Sequence, residues 1–165
     1  MPRKKQTLEE KSVKTEVKQI KQPSFYQAIG RRKEATARVK LFVVNNSEIT
    51  VKNKTLKQGD IIVNYRPVEE YFSGEVAKKF YLEPFRTTNT IGRYAVSALI
   101  AGGGLSGQLG AFIHGVSRAL DQVDKEKFHS ILKKKDFLTR DPRAKERRKA
   151  GFAQKARAKK QSPKR

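Results

Sequence analysis

The chain contains no cysteine. That excludes disulfides, thiolate metal sites and cysteine nucleophiles, and it suits a reducing compartment. Tryptophan is absent, methionine occurs once, and aromatic residues make up only 8% of the 165 positions. No apolar run approaches the roughly 20 residues of a membrane-spanning helix. The first 23 residues lack the apolar block of a secretory signal, because Leu8, Val13, Val17 and Ile20 stand singly among charges. Glu9, Glu10 and Glu16 also argue against an organellar transit peptide, so a cytoplasmic location is expected. Catalytic constellations are poor. Neither His114 nor His129 has a Ser or an acid at triad spacing, and no cluster has metal-ligand spacing. No enzyme activity, cofactor or metal is expected.

Acidic residues are scarce too, 16 against 38 Lys and Arg, for a formal net charge of +22. The excess is uneven. Residues 1–23 carry seven basic and three acidic side chains, and residues 133–165 carry fifteen basic and three acidic ones. A modestly charged body with strongly basic ends is the footprint of a nucleic-acid binder. The tail cannot bury enough apolar surface to offset its ordering entropy, so alone it should be extended and mobile. A membrane-surface role would need bulky apolar residues on an amphipathic helix beside these charges, and the tail has none. The expected division is a basic extension over 1–23, a globular domain over 24–135 and an extended basic tail over 136–165.

Within the first stretch, Thr7 and Glu10 have capping-box spacing ahead of a weak helix over 8–22. A short strand is expected over 25–29, then a turn or bulge at Gly30 carrying Arg31, Arg32 and Lys33. Residues 35–44 alternate clearly as a strand. Ala35, Ala37, Val39, Leu41 and Val43 line one face, and Thr36, Arg38, Lys40 and Phe42 line a solvated or RNA-facing one. Asn45-Asn46-Ser47 is turn chemistry, with further strands at 49–51 and 61–64. Pro67 suits the first position of a helix over 67–72, and a second helix over 75–81 should break before Pro84. A strand over 93–100 leads into Ala101-Gly102-Gly103-Gly104-Leu105-Ser106-Gly107, where Ser106 is placed to cap the next helix. Leu109, Phe112, Ile113, Val116 and Leu120 form its apolar stripe, and Phe128, Ile131 and Leu132 mark one more helix. The result is an α+β body, a mixed sheet covered by helices on one side.

Gly102, Gly104 and Gly107 formally match the dinucleotide-binding fingerprint. The acidic residue wanted about 20 positions on is missing, since Asp121 and Asp124 fall too early and no strand follows. Two readings remain: a tight turn that packs helix on sheet, and the same turn offering backbone N–H groups to nucleic-acid phosphate.

Three stretches together resemble a known family. Gly30-Arg31-Arg32-Lys33-Glu34-Ala35-Thr36-Ala37-Arg38-Val39 resembles the G-R-R-K-x-A-x-A-R-V opening of the S-nine family of small-subunit ribosomal proteins. Gly102-Gly103-Gly104-Leu105-Ser106-Gly107-Gln108, with His114-Gly115 and Arg118-Ala119-Leu120, resembles its glycine-rich and His-Gly signature. Thr139-Arg140-Asp141-Pro142-Arg143, followed by Glu146-Arg147-Arg148-Lys149, resembles its T-R-D-x-R stretch, and Lys164-Arg165 its bacterial terminus. Ile113 stands where bacterial members usually carry Arg, and the end reads Gln161-Ser162-Pro163-Lys164-Arg165 without the usual Phe.

The resemblance implies a two-layer α/β sandwich like the second domain of ribosomal protein S-five. It would have a mixed four-stranded sheet, helices on one face and a left-handed βαβ crossover. It implies a structural role in the head of the small ribosomal subunit, among neighbouring head proteins and not as a homo-oligomer. Arg31, Arg32, Lys33, Arg38, Gly102, Gly103, Gly104, Ser106, Gly107, Gln108, His114, Arg118, Arg140, Arg143, Arg147, Arg148, Lys149, Lys155 and Arg157 would meet ribosomal RNA. Lys164 and Arg165 would reach peptidyl-site transfer RNA. The alternative is a free-standing, non-specific RNA-binding or RNA-chaperone protein.

Overall fold

A computed structural model of the protein describes residues 25–44, 49–51, 54–152 and 155–157. The weak helix over 8–22, the turn at Asn45-Asn46-Ser47 and the terminal Lys164-Arg165 lie outside these residues. Strands β1 (Phe25–Arg32) and β2 (Ala35–Val43) pair antiparallel from Phe25↔Phe42 to Arg32↔Ala35. β2 pairs antiparallel with β7 (Tyr94–Ala101), and β7 pairs parallel with β5 (Ile61–Val63). A two-residue strand, β6 (Arg66–Pro67), completes a five-stranded mixed sheet in the order β1-β2-β7-β5-β6. A separate hairpin joins β3 (Ile49–Val51) to β4 (Lys54–Leu56). The sheet therefore has one more strand than the expected four, and β4 and β6 went unread because Lys54-Thr55-Leu56 and Arg66-Pro67 lack the β-branched apolar residues that mark β3 and β5.

Period-two alternation builds the core. Ala28, Ala37, Val39, Leu41, Val96 and Ala98 face the helices α2 (Glu75–Thr87), α3 (Leu105–Val123) and α4 (Lys125–Lys134). Those helices contribute Tyr81, Phe85, Phe112, Val116, Leu120, Phe128 and Leu132. Leu109 and Ile113 of the expected stripe are only half-buried, while Ala111, Gly115 and Ala119 are buried. The contact face of α3 is thus made largely of small residues. Phe137 and Leu138 pack against this core too, so the root of the tail is seated on the body.

Four local expectations are corrected. First, β1 continues through Gly30 to Arg32, and the turn falls at Lys33-Glu34, where Lys33 takes φ +51°. Gly30 is needed for contact instead: a Cβ there would lie 2.0 Å from the Ala111 carbonyl oxygen and 2.3 Å from the Gly115 nitrogen. Second, Phe42 is buried, whereas Val43 is exposed. Phe42 and Ala95 are covered by Ile49 and Leu56 of the β3–β4 hairpin, which builds a small second core on the other side of the sheet. Third, α2 does not stop before Pro84 but runs through it to Thr87. An interior proline costs roughly 3 kcal/mol in an isolated helix. Burial of Tyr81 and Phe85, about 2–3 kcal/mol each, offsets it. Fourth, Ser106 caps nothing. Gly104 holds the N-cap of α3 with no side-chain cap bond, and Ser106 is exposed in the first turn. Pro67 likewise caps the short helix α1 (Val68–Tyr71) from the position before it, while pairing with Ile62. Asp124, named in the sequence only as an acid misplaced for the dinucleotide fingerprint, caps α4 by accepting from the Lys127 N–H at 3.2 Å.

Candidate nucleic-acid interface

β1 is an edge strand, so every second residue points backbone groups away from the sheet. Helix α3 satisfies them from one turn. His114 Nδ1 accepts from the Arg31 N–H at 3.2 Å, and Arg118 Nη1 donates to the Ile29 carbonyl at 2.6 Å. The pair is four residues apart on one helical face, which matches the two-residue spacing along the strand. Gly30 and Gly115 permit the approach, since a Cβ on Gly115 would lie 2.7 Å from Val39 Cγ2.

The tail root closes the third side. A cleft of about 470 Å³ opens between β1, α3 and residues 135–143, lined by Arg31, Arg32, His114, Lys135, Arg140 and Arg143 among others. Its acids are Asp136 and Asp141. Asp141 ties the tail to the body. It accepts from Arg143 Nε at 3.0 Å and Nη2 at 2.9 Å, and it pairs with Arg32 at 2.9 Å. Arg143, bonded through side chain and backbone, holds the Asp141 carboxyl well below the usual carboxylate range, and Arg32 adds to the effect. Burial keeps the His114 imidazole below its ordinary range. The nearby Arg118 and Arg140 charges reinforce this. His114 is therefore a neutral spacer between cations, neither a base nor a charge. Arg31 and Arg140 have no carboxylate partner among the described residues, which leaves both guanidiniums available to an outside anion.

The glycine turn serves packing. Gly102 and Gly103 take φ +78° and +59°, and a Cβ on Gly102 would lie 2.5 Å from the Glu34 carbonyl oxygen. Gly107 is buried against Arg32 and Ala35. Gln108 donates from Nε2 to the Gly102 carbonyl at 3.1 Å, and its Oε1 accepts from Tyr71 Oη at 2.8 Å. Asn64 Nδ2 reaches Tyr71 Oη at 3.2 Å, and the same side chain bonds both the N–H and the carbonyl of Ile100. Asn64 and Tyr65 both have positive φ, as a two-residue hairpin turn demands. Asn64 and Tyr71 were not singled out in the sequence. An Asn ending a strand was the available signal for the turn, but its reach to Ile100 lies 36 positions away and has no local mark.

Of the other residues singled out, Lys33 is exposed at the β1–β2 turn beside the cleft, and Arg38 lies exposed on the sheet face away from the helices. Arg147, Arg148, Lys149, Lys155 and Arg157 follow the cleft along the tail. There Arg157 Nε donates to Glu146 Oε2 at 2.9 Å, its Nη2 bonds Glu146 Oε1, and the Lys149 N–H reaches the Lys155 carbonyl at 3.1 Å. Among the described residues no helix is long and apolar enough to cross a membrane, and no three His, Cys, Asp or Glu side chains group to hold a metal.

The sequence pattern of the ribosomal protein S9/S16 family matches residues 30–165, from Gly30 through the glycine turn, the cleft and the whole tail. The chain belongs to this family. The small ribosomal subunit protein uS9 of Rickettsia canadensis (strain McKiel) is 42% identical over 154 residues, covering 93% of this chain and 86% of the relative. Its counterpart in Rickettsia bellii (strain OSU 85-389) is 39% identical over 157 residues, covering 95% and 87%. With 154 of 165 residues aligned, the likeness reaches into the stretch before Pro23 as well. The S9 family is structural, not enzymatic, its members act in translation, and RNA binding is general to it.

Proposed function

We propose that this S9-family chain is a structural constituent of the head of the small ribosomal subunit, working in the cytoplasm. Its body grips ribosomal RNA at the cleft, and its C-terminal tail continues along RNA to the transfer RNA in the peptidyl site. The observation that carries this reading is the convergence of three sequence-distant motifs on one cation-lined cleft. Arg31 and Arg32, His114, and Arg140 to Arg143 meet there, at the point where the tail leaves the body.

The chemistry follows from the geometry. Asp141 neutralises part of Arg32 and Arg143 and fixes the direction of exit. Arg31 and Arg140 then present guanidinium forks suited to bidentate phosphate contact. The tail beyond them carries the counterion-releasing charge that drives affinity for any polyanion. Lys33, Arg147, Arg148, Lys149, Lys155 and Arg157 extend the contact to ribosomal RNA, with neighbouring head proteins alongside. Lys164 and Arg165 meet transfer-RNA phosphate. The two-layer α/β sandwich of the second domain of ribosomal protein S-five belongs to the same reading.

The test uses ribosomes whose copy lacks Lys164 and Arg165. Faster release of peptidyl-site transfer RNA, with normal subunit assembly, is the expected result. Unchanged release at the same salt would remove the transfer-RNA contact from the function.

A further inference from the structure

Beyond Arg143 the tail does not run straight. Gly151 takes φ +81°, and the chain bends there. The Lys149 N–H donates to the Lys155 carbonyl at 3.1 Å, and the Lys155 N–H to the Phe152 carbonyl at 3.0 Å. Six residues of chain, about 20 Å when extended, are thus drawn back to one hydrogen bond. Outside this bend Arg157 forks onto Glu146. Its Nε donates to Oε2 at 2.9 Å, and its Nη2 bonds Oε1. Two parallel bonds of this kind fix direction as well as distance. Arg157, with the Lys149 charge adding to it, holds the Glu146 carboxyl below its ordinary range. Ala144 and Ala156, twelve positions apart, line the same hollow of about 660 Å³. On charge alone Glu146 is out of place. Residues 133–165 carry fifteen basic side chains and three acidic ones, and a carboxylate in a segment that meets a polyanion lowers affinity. An exposed ion pair by itself stabilises little. Here it closes a bend that Gly151 and two backbone hydrogen bonds have already set.

We propose that Glu146 is a positioning residue, whose pairing with Arg157 closes the tail into a loop and so sets where its last stretch begins. Open, the chain from Glu146 to Arg157 would span about 36 Å and carry that stretch correspondingly farther from the cleft. Closed, Arg157 lies beside Glu146, and the residues after it start from there. The carboxylate acts on the length and direction of the tail, which cations alone would leave to mutual repulsion. The inference rests on the proposed function for what the tail reaches, but the loop itself belongs to the chain without RNA.

The test reads the loop directly. The chain has no cysteine, so Ala144→Cys/Ala156→Cys takes two spin labels at those positions alone. Electron paramagnetic resonance then gives their separation in the full chain, first free and then bound to transcribed small-subunit ribosomal RNA. A short separation is expected in both, far under the roughly 40 Å of an extended span. Glu146→Gln should lower the short population severalfold. Gly151→Ala should do the same without changing the charge, since a Cβ there meets nothing within 4 Å and only the φ of +81° opposes it. The exchanged pair, Glu146→Arg/Arg157→Glu, should restore the short separation. A long separation in the labelled chain, free or bound, would overturn the inference. So would a short one that Glu146→Gln leaves unchanged, or a long one that persists in the exchanged pair. None of these results touches the proposed function, which fails separately if the labelled chain does not bind the ribosomal RNA.

Discussion

Gly30 shows how much a single residue can carry. Its pattern of neighbours, a glycine before three cations, reads locally as a turn, yet the strand runs straight through it. The reason sits 81 or more positions away, in the Ala111 carbonyl and the Gly115 nitrogen, both closer than any Cβ tolerates. Gly30→Ala must push α3 off β1, and overpacking of this kind costs about 3 kcal/mol. A fall of roughly 10 °C in the unfolding midpoint is expected. Gly104→Ala is the control, since nothing lies within 4 Å of a Cβ there and its φ of −108° suits any residue. Its midpoint should stay near wild type. Equal effects of the two would refute the close-contact account. The glycines of the motif were thus visible as a group, but which of them serve contact was not, because contact partners across a fold leave no local trace.

At the scale of elements, the edge of β1 is held by one turn of α3 and by the tail root. His114 links all three through its contacts with Arg31 and Leu138. Burial favours the neutral imidazole in the folded chain, so the unfolded chain takes up the proton more readily. This group's contribution is complete above the unfolded value near pH 6.5 and is lost as pH falls through the lower folded value. Unfolding midpoints of wild type should therefore drop between about pH 7.5 and about pH 5 by more than those of His114→Asn, which keeps an acceptor but cannot titrate. Parallel profiles would contradict the buried-neutral assignment. Much at this scale was legible. The alternation of β2 up to Leu41, the Phe112, Val116 and Leu120 part of the α3 stripe and the glycine turn between β7 and α3 follow from spacing. What was not legible depended on tertiary burial. Pro84 stays inside α2 because Tyr81 and Phe85 are buried beside it, and Phe42 is buried on the face expected to be solvated because a hairpin of three-residue strands covers it there.

For the whole molecule, charge is partitioned by task. Two tail carboxylates fix geometry, Asp141 on Arg32 and Arg143 and Glu146 on Arg157. Arg31 and Arg140 have no carboxylate partner among the described residues. The composition alone pointed to nucleic acid, and the motif stretches pointed to the family, but neither showed that the stretches meet. The sites resting on Lys164 and Arg165 lie beyond the described residues.

The central claim is that the cleft, and not net charge alone, gives this S9-family chain its hold on its own RNA. The most direct measurement is competition between transcribed small-subunit ribosomal RNA and an unrelated RNA of equal length, at fixed near-physiological salt. Wild type and Arg31→Gln/Arg140→Gln would be compared. Wild type should prefer the ribosomal RNA by about a thousandfold, the low end for specific over non-specific nucleic-acid binding. The double variant should lose most of that preference while still binding both RNAs through its tail. A double variant with wild-type preference would contradict the account and leave the tail's charge as the only source of binding.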